Sequence, residues 1–208
     1  MPIVLVESIT ERTYQTTVGS VISKARRILQ DEDDSGSTGY RWTDIELIGW
    51  INQAVASMIG IVPMEFAKVV THTCAEGYRQ KIVSARAVSL IDIIGIPPAD
   101  AMTLTQFKPG WQEAAAGAAK NWMRVNSEPL GFFLTPPSQA AQSLLALVIE
   151  IPESVSSTSD VVPVSENYEP AIVQYVVAMA LMKDDEAVDG NRFTAALQIF
   201  VKSIQGVS

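Results

Sequence analysis

The chain has 208 residues, of which 48% are hydrophobic, so a core of ordinary size can bury about 70% of the surface that the unfolded chain exposes. A formal net charge of -8 disfavours a general nucleic-acid binder. One cysteine and one histidine exclude an internal disulfide and a zinc site built from three or four such ligands.

The first elements in chain order are two helices. Residues 1–7 precede them and lack the basic residues and the long apolar run of a secretory signal. Apolar residues at spacings of three and four predict a helix of about 13 residues from Val18, with Arg26 and its charged neighbours facing solvent. Thr43 and Glu46 match a capping box, which predicts that the second helix begins there and ends before Pro63.

Strands are predicted in the middle of the chain. A period of two on either side of residues 75–77 predicts two strands joined as a hairpin. Residues 88–96 form a buried segment that is either a strand or a helical turn, and residues 102–107 are predicted to be a strand. Residues 130–134 and 143–151 predict a second hairpin.

An alanine-rich helix is predicted over residues 109–125. Trp111 and Trp122 would share one face of it, because eleven residues make about three helical turns. Core packing explains this spacing most simply. The alternative is a subunit interface, since aromatic side chains are enriched in such surfaces.

Two further helices are predicted at the C-terminal end, over residues 168–186 and 192–205. The longest uncharged run, residues 170–182, is shorter than the roughly 20 residues of a membrane span and is interpreted as a buried helix. The polar residues 154–163 before these helices are expected to be mobile.

The predicted fold class is therefore α+β and mainly α. We expect a single domain over residues 1–208, in which residues 16–63 and 165–206 form a helical bundle. Residues 64–153 are expected to form an inserted β lobe of hairpins that also contains the alanine-rich helix.

No motif indicates an enzyme. Residues 31–37 match the first half of a calcium loop, but Trp42 stands where a bidentate glutamate is required. His72 and Cys74 share one face of a predicted strand, without identifiable oxyanion donors or an orienting partner. The acidic cluster at residues 184–189 is interpreted as a solvated turn, or else as a subunit contact or a channel surface. We expect no catalytic residue, no metal site and no cofactor.

Two stretches resemble the head-to-tail adaptor (connector, head-completion) proteins of tailed bacteriophages. Residues 40–47 read YRWTDIEL and residues 50–52 read WIN, close to the motifs R-W-[ST]-D-x-E-L and W-[LI]-N of that family. Residues 163–176 and the last helix resemble its closing helical pair. The matching residues are expected to be structural, through capping, packing and hydrogen bonds to backbone; they are Arg41, Trp42, Thr43, Glu46, Trp50, Asn52, Tyr175 and Phe200.

This resemblance implies a non-enzymatic virion protein. It implies a ring, expected to contain twelve copies, that lies in the neck between the portal protein and a tail or nozzle protein. Double-stranded DNA would pass through the lumen without specific binding, and the protein would occupy the host cytoplasm during assembly, with no membrane involved. The isolated chain is compatible with a monomer. The alternative function is a cytoplasmic helical module that binds a protein partner or acts as a scaffold.

Overall fold

The computed structural model describes residues 14–31, 39–183 and 190–206, which form five α-helices and two three-stranded antiparallel sheets. The fold is therefore mixed α+β. The chain divides into two compact units. The helical unit comprises the described residues up to Glu65 and from Glu153 onward, and the strand-rich unit comprises Phe66–Pro152.

Helices and strands follow one another in long blocks. The helices are α1 (Val18–Leu29), α2 (Asp44–Ile61), α3 (Ala101–Phe107), α4 (Glu169–Lys183) and α5 (Gly190–Gln205). The strands are β1 (Ala67–Thr73), β2 (Gly77–Lys81), β3 (Ala87–Ile93), β4 (Asn121–Arg124), β5 (Gly131–Ser138) and β6 (Ser143–Glu150).

Helix α4 is central to the helical unit, because it packs against α1, α2 and α5. Its apolar residues are distributed around the helix, as expected of a helix that is covered on several sides. The stripes predicted for α1 and α2 face this core. Fully buried side chains from each helix include Val21, Ile51, Ile172 and Ile204.

The two sheets have the strand orders β1-β6-β3 and β2-β5-β4, so both hairpin predictions were wrong. Strands β1 and β2 follow each other but pair with β6 and β5 respectively. The Gln80 side chain explains the break, because it bonds the backbone at Ala75 and Gly77 and closes a separate turn there. Cys74 meanwhile bonds Gln142 and Ala141, which extends the β1–β6 ladder.

Both sheets of the strand-rich unit contribute to one hydrophobic core. Leu90 and Ile93 of β3 pack in it with Phe132 and Leu134 of β5. Strand β6 adds alternate residues to the same core, as the period of two in its sequence requires. Residues 88–96, which the sequence left open between strand and helical turn, thus contain a strand.

Two predictions in the middle of the chain were wrong. Residues 102–107 belong to α3, which Asp100 caps by accepting a hydrogen bond from the Thr103 amide. The alanine-rich segment is not a helix: its Gly117 and Lys120 amides donate to carbonyls of β5, and β4 follows. These bonds to a neighbouring strand replace the i to i-4 bonds that a helix would make.

Residues 154–163 are held against the helical unit, contrary to the mobile connection that we expected. Val155 and Val162 are buried, and the Val162 amide donates to the Thr16 carbonyl. The Asp160 carboxylate accepts hydrogen bonds from the backbone of Ser156 and Ser157. These bonds lower the pKa of Asp160 below its usual value. The polar side chains of this segment thus form hydrogen bonds within it, while its valines are buried in the core.

Candidate functional site

The residues that carry the family motif cluster around a buried arginine. Arg26 of α1 donates to the Asp31 carboxylate at 2.9 Å, to the Trp42 carbonyl at 2.9 Å and to the Asp44 carboxylate at 2.8 Å. Its guanidinium lies 3.6 Å from the centre of the Tyr40 ring. Such a buried charge needs several partners, and here it has them. The prediction that Arg26 faces solvent was therefore wrong.

The motif itself extends this cluster. The Arg41 amide donates to the other oxygen of Asp31, at 2.7 Å, and the Arg41 guanidinium lies 5.1 Å from the centre of the Trp42 ring. Trp42 is buried. Arg41 and Trp42 are thus fixed to α1 immediately before α2 begins. The calcium pattern ends in this region, but most of its residues, 32–38, lie outside the described residues.

The start of α2 has the capping box that the sequence predicts. The Glu46 amide donates to the Thr43 hydroxyl oxygen, and the Thr43 amide donates to the Glu46 carboxylate. Lys183, at the end of α4, donates to the same carboxylate. The hydrogen bond from Lys183, followed by those from Thr43, lowers the pKa of Glu46 from 4.5 to about 2.

Asn52 joins α2 to the loop that precedes α4. Its side-chain amide donates to the Val155 carbonyl and its side-chain oxygen accepts from the Val155 amide, both at 2.9 Å. An asparagine side chain can satisfy one donor and one acceptor of a backbone in this way. Trp50, two residues earlier, is half-buried on the same helix.

The beginning of α1 is fixed by the same loop and by α4. The Val18 and Gly19 amides donate to the carbonyls of Asp160 and Thr158, at 2.9 Å each. Glu169 of α4 accepts a hydrogen bond from the Ser20 hydroxyl and forms an ion pair with Lys24 at 2.7 Å. Two of the otherwise unpaired donors at the helix start are thus satisfied.

Tyr175 and Phe200 join the last two helices. Their ring centres lie 5.0 Å apart at an angle of 60°. Phe200 is buried, with 3% of its surface exposed. An edge-on aromatic pair of this kind adds stabilisation beyond the burial of its surface. The acidic cluster at residues 184–189, between these helices, lies outside the described residues.

The two tryptophans of the predicted alanine-rich helix lie on separate elements. Trp111 is in a 3₁₀ turn, where its ring contacts those of Tyr78 and Phe133 and its Nε1 donates to Thr105. Trp122 is in β4 and lies in the core that both sheets share. Both rings are buried within the chain.

His72 and Cys74 are both buried. Burial raises the pKa of the Cys74 thiol, although its hydrogen bond with Ser138 lowers it in part. Burial also lowers the pKa of His72, whose ring meets that of Phe132 edge-on. A thiol of raised pKa is a poor thiolate nucleophile. Within residues 14–31, 39–183 and 190–206, no group of His, Cys, Asp and Glu side chains could hold a metal ion.

Sequence reasoning found the capping box and the role of Asn52, but it missed Arg26 and Gln80. Arg26 could have been found, because it lies four residues after the apolar Ile22 and is followed by acidic residues that can pair with it. The role of Gln80 could not have been predicted, because the alternating strand pattern does not show that its side chain closes the turn at residues 75–77.

Comparison with known proteins assigns the chain to a family. A search of the curated proteins finds no match. In the part of the chain that the structure describes, no helix is long and apolar enough to cross a membrane. A family model described as SU10 adaptor protein matches residues 16–207, which include every motif residue discussed above. The chain therefore belongs to the SU10 adaptor protein family, a family of phage head-tail adaptors.

Proposed function

We propose that this protein forms a closed ring in the neck of a phage particle, between the portal protein and a tail or nozzle protein. The observation that carries the proposal is the family match over residues 16–207. Each copy would contact the next through two different surfaces, and such head-to-tail contacts close into a ring when the rotation between copies permits. Twelve copies are expected, and the protein is present in the host cytoplasm until it joins the particle.

The internal bonds of the helical unit support a structural role. Asn52 and Glu169 each join segments that are far apart in the sequence, and Arg26 joins α1 to the start of α2. A part that joins two larger assemblies must keep its surfaces in fixed positions. The described motif residues serve this purpose and leave no evident reacting group, so we propose that the protein has no catalytic activity.

Exposed apolar side chains are candidates for contact with a neighbouring subunit or with the portal. Ile45 at the start of α2 is 83% exposed, and Met102 and Phe107 of α3 are 82% and 73% exposed. Helix α3 has no buried residue. Burying exposed apolar side chains of this kind against a partner removes them from water, which favours association.

The uneven charge of the two units supports a part in DNA passage. The strand-rich unit has 7 basic and 6 acidic side chains, whereas the rest of the chain has 8 basic and 17 acidic ones. Carboxylates repel DNA phosphates and so would keep the duplex from adhering to the wall of a bore. We therefore propose that the helical unit lines the bore and that DNA passes without specific contacts.

The test is to mix the purified chain with purified portal protein and to measure mass and shape by sedimentation and negative-stain microscopy. We expect a ring coaxial with the portal, and its added mass gives the number of copies. Met102→Lys should weaken the assembly if α3 is in a contact, whereas Gln53→Lys, at another exposed position, serves as the control. A chain that stays monomeric beside the portal would contradict the proposal and favour a helical binding module.

A further inference from the structure

A cleft of about 420 Å³ opens within the strand-rich unit, between β1 and the residues that follow β2. One wall is formed by residues 70–73 and the other by residues 82–84. None of the motif residues described above lines this cleft.

One wall of the cleft is an unpaired strand edge. Among the described residues, β1 pairs with β6 alone. The Cys74 amide donates to the Gln142 carbonyl, so the alternation of an antiparallel ladder directs the backbone groups of His72 toward β6 as well. The backbone groups of Thr71 and Thr73 then point away from β6, on the side of the free edge.

The opposite wall follows the end of β2. The Ile82 amide donates to the Leu130 carbonyl, and Val83 comes next in the chain. The Val83 side chain is 92% exposed. Natural proteins usually protect strand edges with charges, bulges or a covering segment, and an exposed valine beside an open edge favours addition of another strand.

His72 also lines the cleft. It is 9% exposed, and its ring packs edge-on against that of Phe132 in the core.

The chain itself contains a segment that fits. Thirteen residues precede Tyr14, the first described residue, and we call residues 1–13 the N-terminal arm. Residues 3–6 read IVLV, an uncharged run that favours a strand. Fully extended, an arm of this length spans roughly 43 Å.

We propose that the N-terminal arm of a second copy of this chain inserts into the cleft, where residues 3–6 add a strand to the free edge of β1. The inference rests on the self-association proposed above. Each copy donates one arm and accepts another, so the contact is head-to-tail and can continue around a ring.

Disulfide trapping tests the insertion. In a Cys74→Ala background, chains with Val4→Cys are mixed with chains with Val83→Cys and oxidised. We expect a dimer on a non-reducing gel, at least tenfold more abundant than with Met102→Cys as the acceptor. Met102 is the matched control, because it is 82% exposed in the same unit but does not line the cleft. Equal yields from the two acceptors would overturn the proposal.

Two controls identify the source of the arm and the kind of contact. Val6→Pro in the donor removes a backbone donor and should abolish the dimer, because proline cannot complete a strand ladder. A single chain with both Val4→Cys and Val83→Cys, oxidised in dilute solution, should remain uncrosslinked. An internal crosslink there, with no dimer in the mixture, would show that the arm occupies its own cleft and would overturn exchange between copies.

A second readout needs no cysteine substitution. His72 is the only histidine, so its imidazole NMR signals report on the cleft of the unmodified chain. They should shift when the protein concentration is raised, and Val6→Pro should remove that shift. Negative-stain microscopy of the same chains mixed with portal protein tests ring formation independently of arm exchange. A ring with no crosslink and no shift overturns arm exchange alone, whereas a crosslink without a ring overturns the ring alone.

Discussion

The side chain of Asn52 and the backbone of Val155, 103 residues apart in sequence, exchange two hydrogen bonds of 2.9 Å. This pair joins the two chain segments of the helical unit, since α2 comes before the strand-rich unit and residue 155 comes after it. It gives a physical reason for the asparagine in the motif W-I-N.

Replacing Asn52 by leucine should destabilise the helical unit by about 1 to 3 kcal/mol, because a backbone donor and acceptor at Val155 lose their partners. Urea unfolding followed by the helical circular dichroism signal measures this change. Gln53→Leu, at the exposed neighbouring position, should stay within about 0.5 kcal/mol of the wild type. Equal losses in the two variants would show that the Asn52 pair contributes no stability.

Replacing Arg26 by methionine should cost about 3 to 5 kcal/mol, because it leaves the buried Asp31 carboxylate without its cation. The exposed Arg27→Met is the matched control on the same helix, with an expected change of about 0.5 kcal/mol or less. Thermal unfolding of both variants distinguishes them. A wild-type melting curve for Arg26→Met would refute the structural role that we assign to this arginine.

Phe200→Ala should destabilise the protein by about 3 to 5 kcal/mol, since the ring is buried against Tyr175. Ile199→Ala is the comparison, because Ile199 is adjacent on α5 and 47% exposed. Its loss should be well below that of Phe200→Ala. A loss below about 1 kcal/mol for Phe200→Ala would mean that the ring is not part of the core of the isolated chain.

The ion pair between Glu46 and Lys183 should make stability depend on pH. The pKa of Glu46 is about 2 in the folded protein and lies at its ordinary value of 4.5 when unfolded, so its stabilisation is present above 4.5. It should be lost as pH falls from about 4.5 to about 2. Glu46→Gln should therefore be less stable than the wild type at pH 7 and equally stable near pH 2.

Lys183→Met removes the lysine partner of Glu46 and leaves the capping box intact, so it should remove part of this pH dependence. The double variant Glu46→Gln/Lys183→Met should lose less free energy of unfolding than the sum of the two single losses, because both substitutions remove the same bond. Fully additive losses, or a Glu46→Gln difference that persists unchanged at pH 2, would contradict the assignment.

The sequence predicted the helical unit better than the strand-rich unit, for physical reasons. Helix periods and caps are local, and so α1, α2 and the Thr43–Glu46 box could be predicted from nearby residues. Strand pairing is not local, and the Gln80 side chain that separates β1 from β2 acts through bonds that no periodicity shows. The alanine-rich segment failed for a related reason, because its backbone bonds to β5 override helix propensity.

The candidate site divides in the same way. The residues from the family motif proved to make internal contacts of the expected kinds at Thr43, Glu46 and Asn52. The charged partners of Arg26 were missed, because a basic residue at the edge of an apolar stripe was assumed to face solvent. The free edge of β1 could not be foreseen while a β1–β2 hairpin was expected.

We propose that this chain is a ring-forming connector of the phage neck. A cryo-electron microscopy reconstruction of the purified phage particle tests it most directly. We predict a closed ring of copies of this fold between portal and tail, with the acidic helical unit toward the DNA. Particles that lack the chain would contradict its place in the neck, and a ring whose bore is predominantly basic would contradict the orientation of the helical unit.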